Sequence, residues 1–156
     1  MIKVILQDKW FFSFIIGWVV FLLLINWKTF RKNVWGGVLA VVLELWQDGE
    51  AANFGMYHFK YAFPTILDVP VFFTFGITFT MGVIFLQFIP ENPDLQLLHL
   101  LVFTAGFLLF EYNVIQHEML VTPYWNLVGS YFDNIAIFGS ILLLNSFIKS
   151  RVKWRV

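Results

Sequence analysis

The sequence contains no cysteine, which excludes disulfides, thiolate metal sites and cysteine nucleophiles and leaves the redox compartment undetermined. Charge is also scarce: Asp, Glu, Lys and Arg make up 13% of the 156 residues, against about 25% in a typical soluble domain. The 10 basic and 10 acidic residues cancel, and no basic face or segment is long enough to follow a phosphate backbone, so no nucleic-acid partner is expected. Imidazole is limited to His58, His99 and His117. A zinc site needs three or four ligands at recognisable spacing, and the adjacent His117 and Glu118 point in different directions on a helix, so no metal or other cofactor is expected. A Gly-rich phosphate loop, a Gly-x-Ser-x-Gly elbow and a His-Glu-x-x-His helix are all missing, and with them the familiar signatures of an enzyme.

Apolar residues are abundant. They amount to 60% of the chain, with 20 Phe and 7 Trp, against about 45–50% apolar in soluble domains. A chain this short buries a smaller share of its surface than a large one, so a water-soluble version would be left with broad greasy patches. Lipid removes that conflict. The expected fold is therefore all-α, a single integral membrane bundle over residues 1–156, with the lipid bilayer as its first partner.

Five spans are read, at about 10–27, 34–48, 66–88, 95–116 and 125–148, from the roughly 20 apolar residues a helix needs to cross a bilayer. The first is long, aromatic and without a small-x-small cleavage site, which favours an uncleaved helix over a signal peptide. From Gly49 to Pro64 the chain mixes Gly, Asn, His and Lys with aromatic residues, a composition that suits a loop at headgroup depth. Asp68 and Pro70 are expected in the first turn of span three, where proline is tolerated. The run Pro90-Glu91-Asn92-Pro93-Asp94 reads as a tight connection, and Thr122-Pro123 as a break.

The basic clusters Lys28, Arg31, Lys32 and Lys149, Arg151, Lys153, Arg155 follow spans one and five. An even number of crossings separates them, so they share a side. By the positive-inside rule that side is the cytoplasm, giving an outward amino terminus and an inward carboxyl terminus. Trp10, Trp27, Trp35 and Trp125 fall at span ends, as an aromatic belt requires. Gly36 and Ala40, Gly76 and Thr80, and Ala136 and Ser140 put small residues four apart, where helices can approach closely.

Ionisable groups inside apolar spans are costly and usually face the bundle interior. Under this topology Glu44, Asp48, Asp68, Glu111 and Asp133 all approach the outer end. Glu44 and Asp48 are four apart and share a helix face. Five carboxylates on one level define an expected polar pocket, floored by apolar residues and roofed by the aromatic loop from Phe54 to Phe63. Acids gathered in this way repel, so the cluster keeps protons or shares a cation. The competing expectation places Asp48 and Asp68 in interfacial water, with Asp68 as a helix-dipole partner. Glu50 and Glu118 are expected in water, and His99 on the opposite level, either at the interface or at a helix contact.

Asp48, Tyr57-His58-Phe59, Phe63-Pro64, Phe110-Glu111-Tyr112 and Trp125-Asn126, set among about five spans, give the chain its resemblance to a group of uncharacterised small multi-pass membrane proteins of endospore-forming Firmicutes, named after a clostridial locus tag. That resemblance implies a bacterial plasma-membrane location and carries no activity. The leading functional expectation is a non-enzymatic structural or accessory envelope component, whose acidic pocket contacts a partner, a lipid headgroup or a cation. It leaves room for a homo-oligomer or a membrane-protein partner. A transporter or channel subunit is the second reading. The third is a membrane enzyme that modifies a lipid or isoprenoid through a carboxylic acid such as Glu111, with aromatic faces steadying a carbocation.

Overall fold

A computed structural model describes residues 9–153, with side chains as far as Lys149. The Arg151, Lys153 and Arg155 side chains of the second basic cluster lie outside the described residues. Among those described, five helices dominate: α1 (Lys9–Leu24), α2 (Phe30–Asn53), α3 (Val71–Gln87), α4 (Pro93–Gln116) and α5 (Leu127–Lys153). The all-α expectation holds. α4 and α5 are long and apolar enough to cross a membrane, while α1 and α3 are shorter apolar helices.

Polar side chains set the turns at one end of the bundle. The Gln87 amide donates to the Leu24 carbonyl (2.9 Å) and accepts from the Asn26 N–H (2.8 Å), which ties the end of α1 to the end of α3. Asn92 caps α4 by accepting the Asp94 N–H, with Pro93 at the first helical position, where a missing N–H costs nothing. At the other end Asn126 accepts from the Val128 and Gly129 N–H groups and starts α5 in the same way.

The helices alternate in direction along the chain. α2 and α3 are antiparallel and very close, because a Cβ on Gly82 would stand 2.6 Å from the Gly36 carbonyl oxygen. α1 lies along α3 through Gly76, where a Cβ would meet the Phe14 Cα at 2.5 Å. A π-helical stretch, Thr74–Thr78, interrupts α3 at this crossing. α4 joins through rings: the fully buried Phe85 stacks on His99 (4.7 Å) and meets Phe103 (5.2 Å) and Phe138 of α5 (4.9 Å). His99 Nε2 also bonds the Phe85 carbonyl at 2.9 Å, which makes it a helix contact, one of the two placements expected of it.

Several boundaries differ from expectation. Span two is longer, since α2 starts at Phe30 and continues to Asn53. Gly49 is helical and lies close against Leu67, whose Cβ would be 3.2 Å from a Cβ there. Span three starts later. Thr65–Ile66 and Val69–Pro70 pair as a two-residue hairpin, with Leu67 and Asp68 at φ 51° and 63°, and α3 begins only after Pro70. Asp68 is therefore a turn residue outside the helix and not a partner of its dipole. Trp10 departs from the aromatic-belt expectation: it is 1% exposed, whereas Trp27 is 61% exposed.

Candidate functional site

Four of the five singled-out acids come together. Glu44 and Asp48 from α2, Glu111 from α4 and Asp133 from α5 line one chamber of about 40 Å³. Helical spacing accounts for the first pair: Ala40, Glu44, Asp48 and Ala51 are all buried on one face of α2. Asp68 is not part of it. It is exposed in the hairpin turn and borders a separate open cleft with His58 and Thr65.

The floor is apolar, formed by Phe73 of α3, Phe107 and Phe110 of α4 and Ile137 of α5. Two short segments close the top. The segment His58–Phe59 pairs antiparallel with Leu120–Val121, and the Lys60 N–H donates to the Met119 carbonyl at 2.8 Å. Trp10 Nε1 donates to the Lys60 carbonyl at 2.9 Å, and Lys9 Nζ to the His117 carbonyl at 3.0 Å, so the start of α1 is fastened to this roof. The aromatic loop divides its rings. Tyr57 and Phe59 face the chamber, whereas Phe54, Tyr61 and Phe63 are exposed.

Neutral donors hold the acids. The Tyr57 hydroxyl donates to Asp48, the Ser130 hydroxyl to Glu111, and Gln47 Nε2 to Asp133 at 2.5 Å. Trp125 Nε1 donates to Ser130 Oγ at 2.8 Å, extending the Glu111 chain by one link. The Glu44 carboxyl, on a residue only 5% exposed, faces the Thr78 hydroxyl. Burial raises the Tyr57 hydroxyl far above the usual phenol range, with the neighbouring Asp48 acting in the same direction, so this donor keeps its proton.

Among the described residues no Lys, Arg or His side chain lines the chamber. The Lys60–Glu118 ion pair, 3.7 Å apart, lies on the solvated roof. No three carboxylate or imidazole groups among the described residues are placed to hold one metal ion. The chamber thus offers spaced oxygen acceptors and aromatic faces without a compensating base. Trp10 and Ser130 were not anticipated from sequence as parts of the site, and Tyr57 was expected only as one ring of the roof, not as the donor to Asp48. They reach it from the roof, α1 and α5, and no spacing rule links them to their partners.

No family model matches the chain, and no curated protein or solved structure is significantly similar to it.

Proposed function

We propose that the protein spans a bilayer five times and that its acidic chamber binds a small ammonium-type cation from the extracytoplasmic side, in a non-enzymatic, accessory role at the bacterial plasma membrane. Support for the membrane comes from the outer helix faces. Leu97, Leu98, Val102 and Leu109 of α4 and Val128, Phe132 and Leu143 of α5 are each more than half exposed, an apolar belt that water would not tolerate.

The observation that carries the cation is the unbalanced chamber, lined by four carboxyl groups and, among the described residues, by no base. Intramembrane acids of this kind mark ion sites by default. Its volume of about 40 Å³ exceeds the roughly 10–15 Å³ one water needs and is small for a lipid headgroup, which favours the cation among the three contacts considered. The spread of acceptors favours ammonium over a metal. Ca²⁺ needs its oxygens gathered within about 2.3–2.6 Å, whereas N–H donors can address acceptors spaced around a cavity, and Trp10, Tyr57 and Phe59 add aromatic faces.

The test is a titration of the full-length protein in lipid nanodiscs with methylammonium chloride at constant ionic strength, followed by tryptophan fluorescence. A saturable response is expected, weakened at least tenfold by combining Glu111→Gln with Asp133→Asn. A flat titration, or a double variant that binds like the parent, refutes the reading.

A further inference from the structure

A second cavity lies directly below the chamber. α1 and α4 scarcely touch, and between them opens a cleft of about 160 Å³, lined by Ile16 and Gly17 of α1, Ile77 and Met81 of α3, and Phe107 and Phe110 of α4. The two phenylalanines are also the chamber's floor, so one pair of rings lines both an acidic compartment and an apolar one. Gly106 borders the cleft too, and a Cβ there would meet nothing within 4 Å. Packing does not demand that glycine, unlike Gly36, Gly76 and Gly82. Within a helix it costs roughly 1 kcal/mol relative to alanine, and what it provides here is open space.

We infer that the two compartments form one binding site for a single-chain primary alkylammonium amphiphile, its head among Glu44, Asp48, Glu111 and Asp133 and its chain lying across Phe107 and Phe110 in the α1–α4 cleft. The charge of the chamber selects the head. A phosphate or sulfate head would meet four carboxyls and no base, whereas an –NH₃⁺ group is close to water in size and supplies three donors. The cleft selects the tail. Its volume of about 160 Å³ is close to the roughly 150 Å³ of a dry cavity that accepts benzene, about six carbons. Because α1 and α4 leave this side uncovered, such a ligand would arrive laterally from the lipid. This inference rests on the ammonium reading of the chamber and adds the tail to it.

The test separates the two. In nanodiscs, the full-length protein is titrated with methyl-, propyl- and hexylammonium, short enough to stay mainly in water. Affinity should rise about fourfold per methylene at most, the figure that corresponds to burying a CH₂ group, and hexylammonium should exceed methylammonium at least tenfold. Gly106→Leu, which fills the cleft, should bring hexylammonium down to the methylammonium level while leaving methylammonium binding unchanged. If all three amines bind equally in the parent protein, the tail site is refuted and the chamber stands, whatever the variant does. If a chain-length gain is unaffected by a Gly106→Leu protein that still binds methylammonium, the tail lies elsewhere and the inference also fails. If no amine binds, the chamber reading itself is lost.

Discussion

At the scale of single residues, Tyr57 carries more than its place in an aromatic loop suggests. Its ring lies edge-on to Phe59 (5.8 Å) and Trp125 (5.7 Å), and its hydroxyl donates to Asp48. Tyr57→Phe keeps the ring and removes the donor, leaving a buried carboxyl short of a partner at a cost of about 1–3 kcal/mol, to be read from thermal unfolding in detergent. The pH dependence has a definite sign. Burial raises the folded-state phenol above its unfolded value, so the associated stability is complete below the unfolded value of about 10 and declines as the pH rises beyond it. The melting temperatures of parent and variant should therefore converge above about pH 10; a constant difference would remove Tyr57 as the proton-holding donor. The acids were legible in the sequence because Glu44, Glu111 and Asp133 interrupt apolar helical runs, where each charge carries a visible cost. Their donors were not. Gln47 reaches Asp133 over 86 residues and Ser130 reaches Glu111 over 19, and Gln, Ser and Tyr in such settings are common enough to signal nothing by themselves.

At the scale of elements, small-residue spacing succeeded where a neighbour happened to lie against it. Gly36 and Ala40 meet Gly82 of α3, and Gly76 meets Phe14 of α1. Ala136 and Ser140 have the same spacing, yet Ala136 is exposed and Ser140 Oγ bonds back to the Ala136 carbonyl at 2.7 Å. Spacing alone does not say which faces meet. The hairpin before α3 escaped notice for a related reason, since its central pair Leu67-Asp68 lacks the Asn-Gly or Asp-Gly signature of such turns, while Pro70 reads equally well as a first helical residue. The glycines yield a paired prediction. Gly82→Ala should destabilise the protein by about 1–3 kcal/mol, the usual cost of overpacking, because its methyl group would stand 2.6 Å from the Gly36 carbonyl oxygen and 2.8 Å from the Ala40 Cβ. Gly106→Ala should stabilise it by about 0.5–1 kcal/mol, because the added methyl meets nothing within 4 Å. Denaturation of both variants in one detergent checks the pair, and equal losses would contradict the α2–α3 crossing described above.

At the scale of the whole molecule, the two ends of the bundle differ in charge. Alternating helix directions bring Lys28, Arg31 and Lys32 to the same end as Lys149, as expected from the even number of crossings between them, and the acidic chamber lies at the opposite end with the Lys60–Glu118 pair on its roof. If the bundle spans a bilayer, the basic end should be cytoplasmic and the roof should face out. The lack of cysteine makes this directly measurable, because any introduced thiol is the only one in the chain. Tyr124, 85% exposed beside the roof, and Glu91, exposed in the α3–α4 turn at the basic end, are suitable positions. In intact cells a membrane-impermeant maleimide should label Tyr124→Cys, whereas Glu91→Cys should react only after permeabilisation. The reverse pattern would turn the chamber toward the cytoplasm. Labelling of both from outside would remove the spanning topology, and with it the proposed lipid contact of the exposed faces of α4 and α5. The outcome therefore decides which compartment the four carboxyl groups face, and under the proposed cation reading with the roof outward, the counter-charge would have to come from outside, past the roof that Trp10 and Lys60 hold.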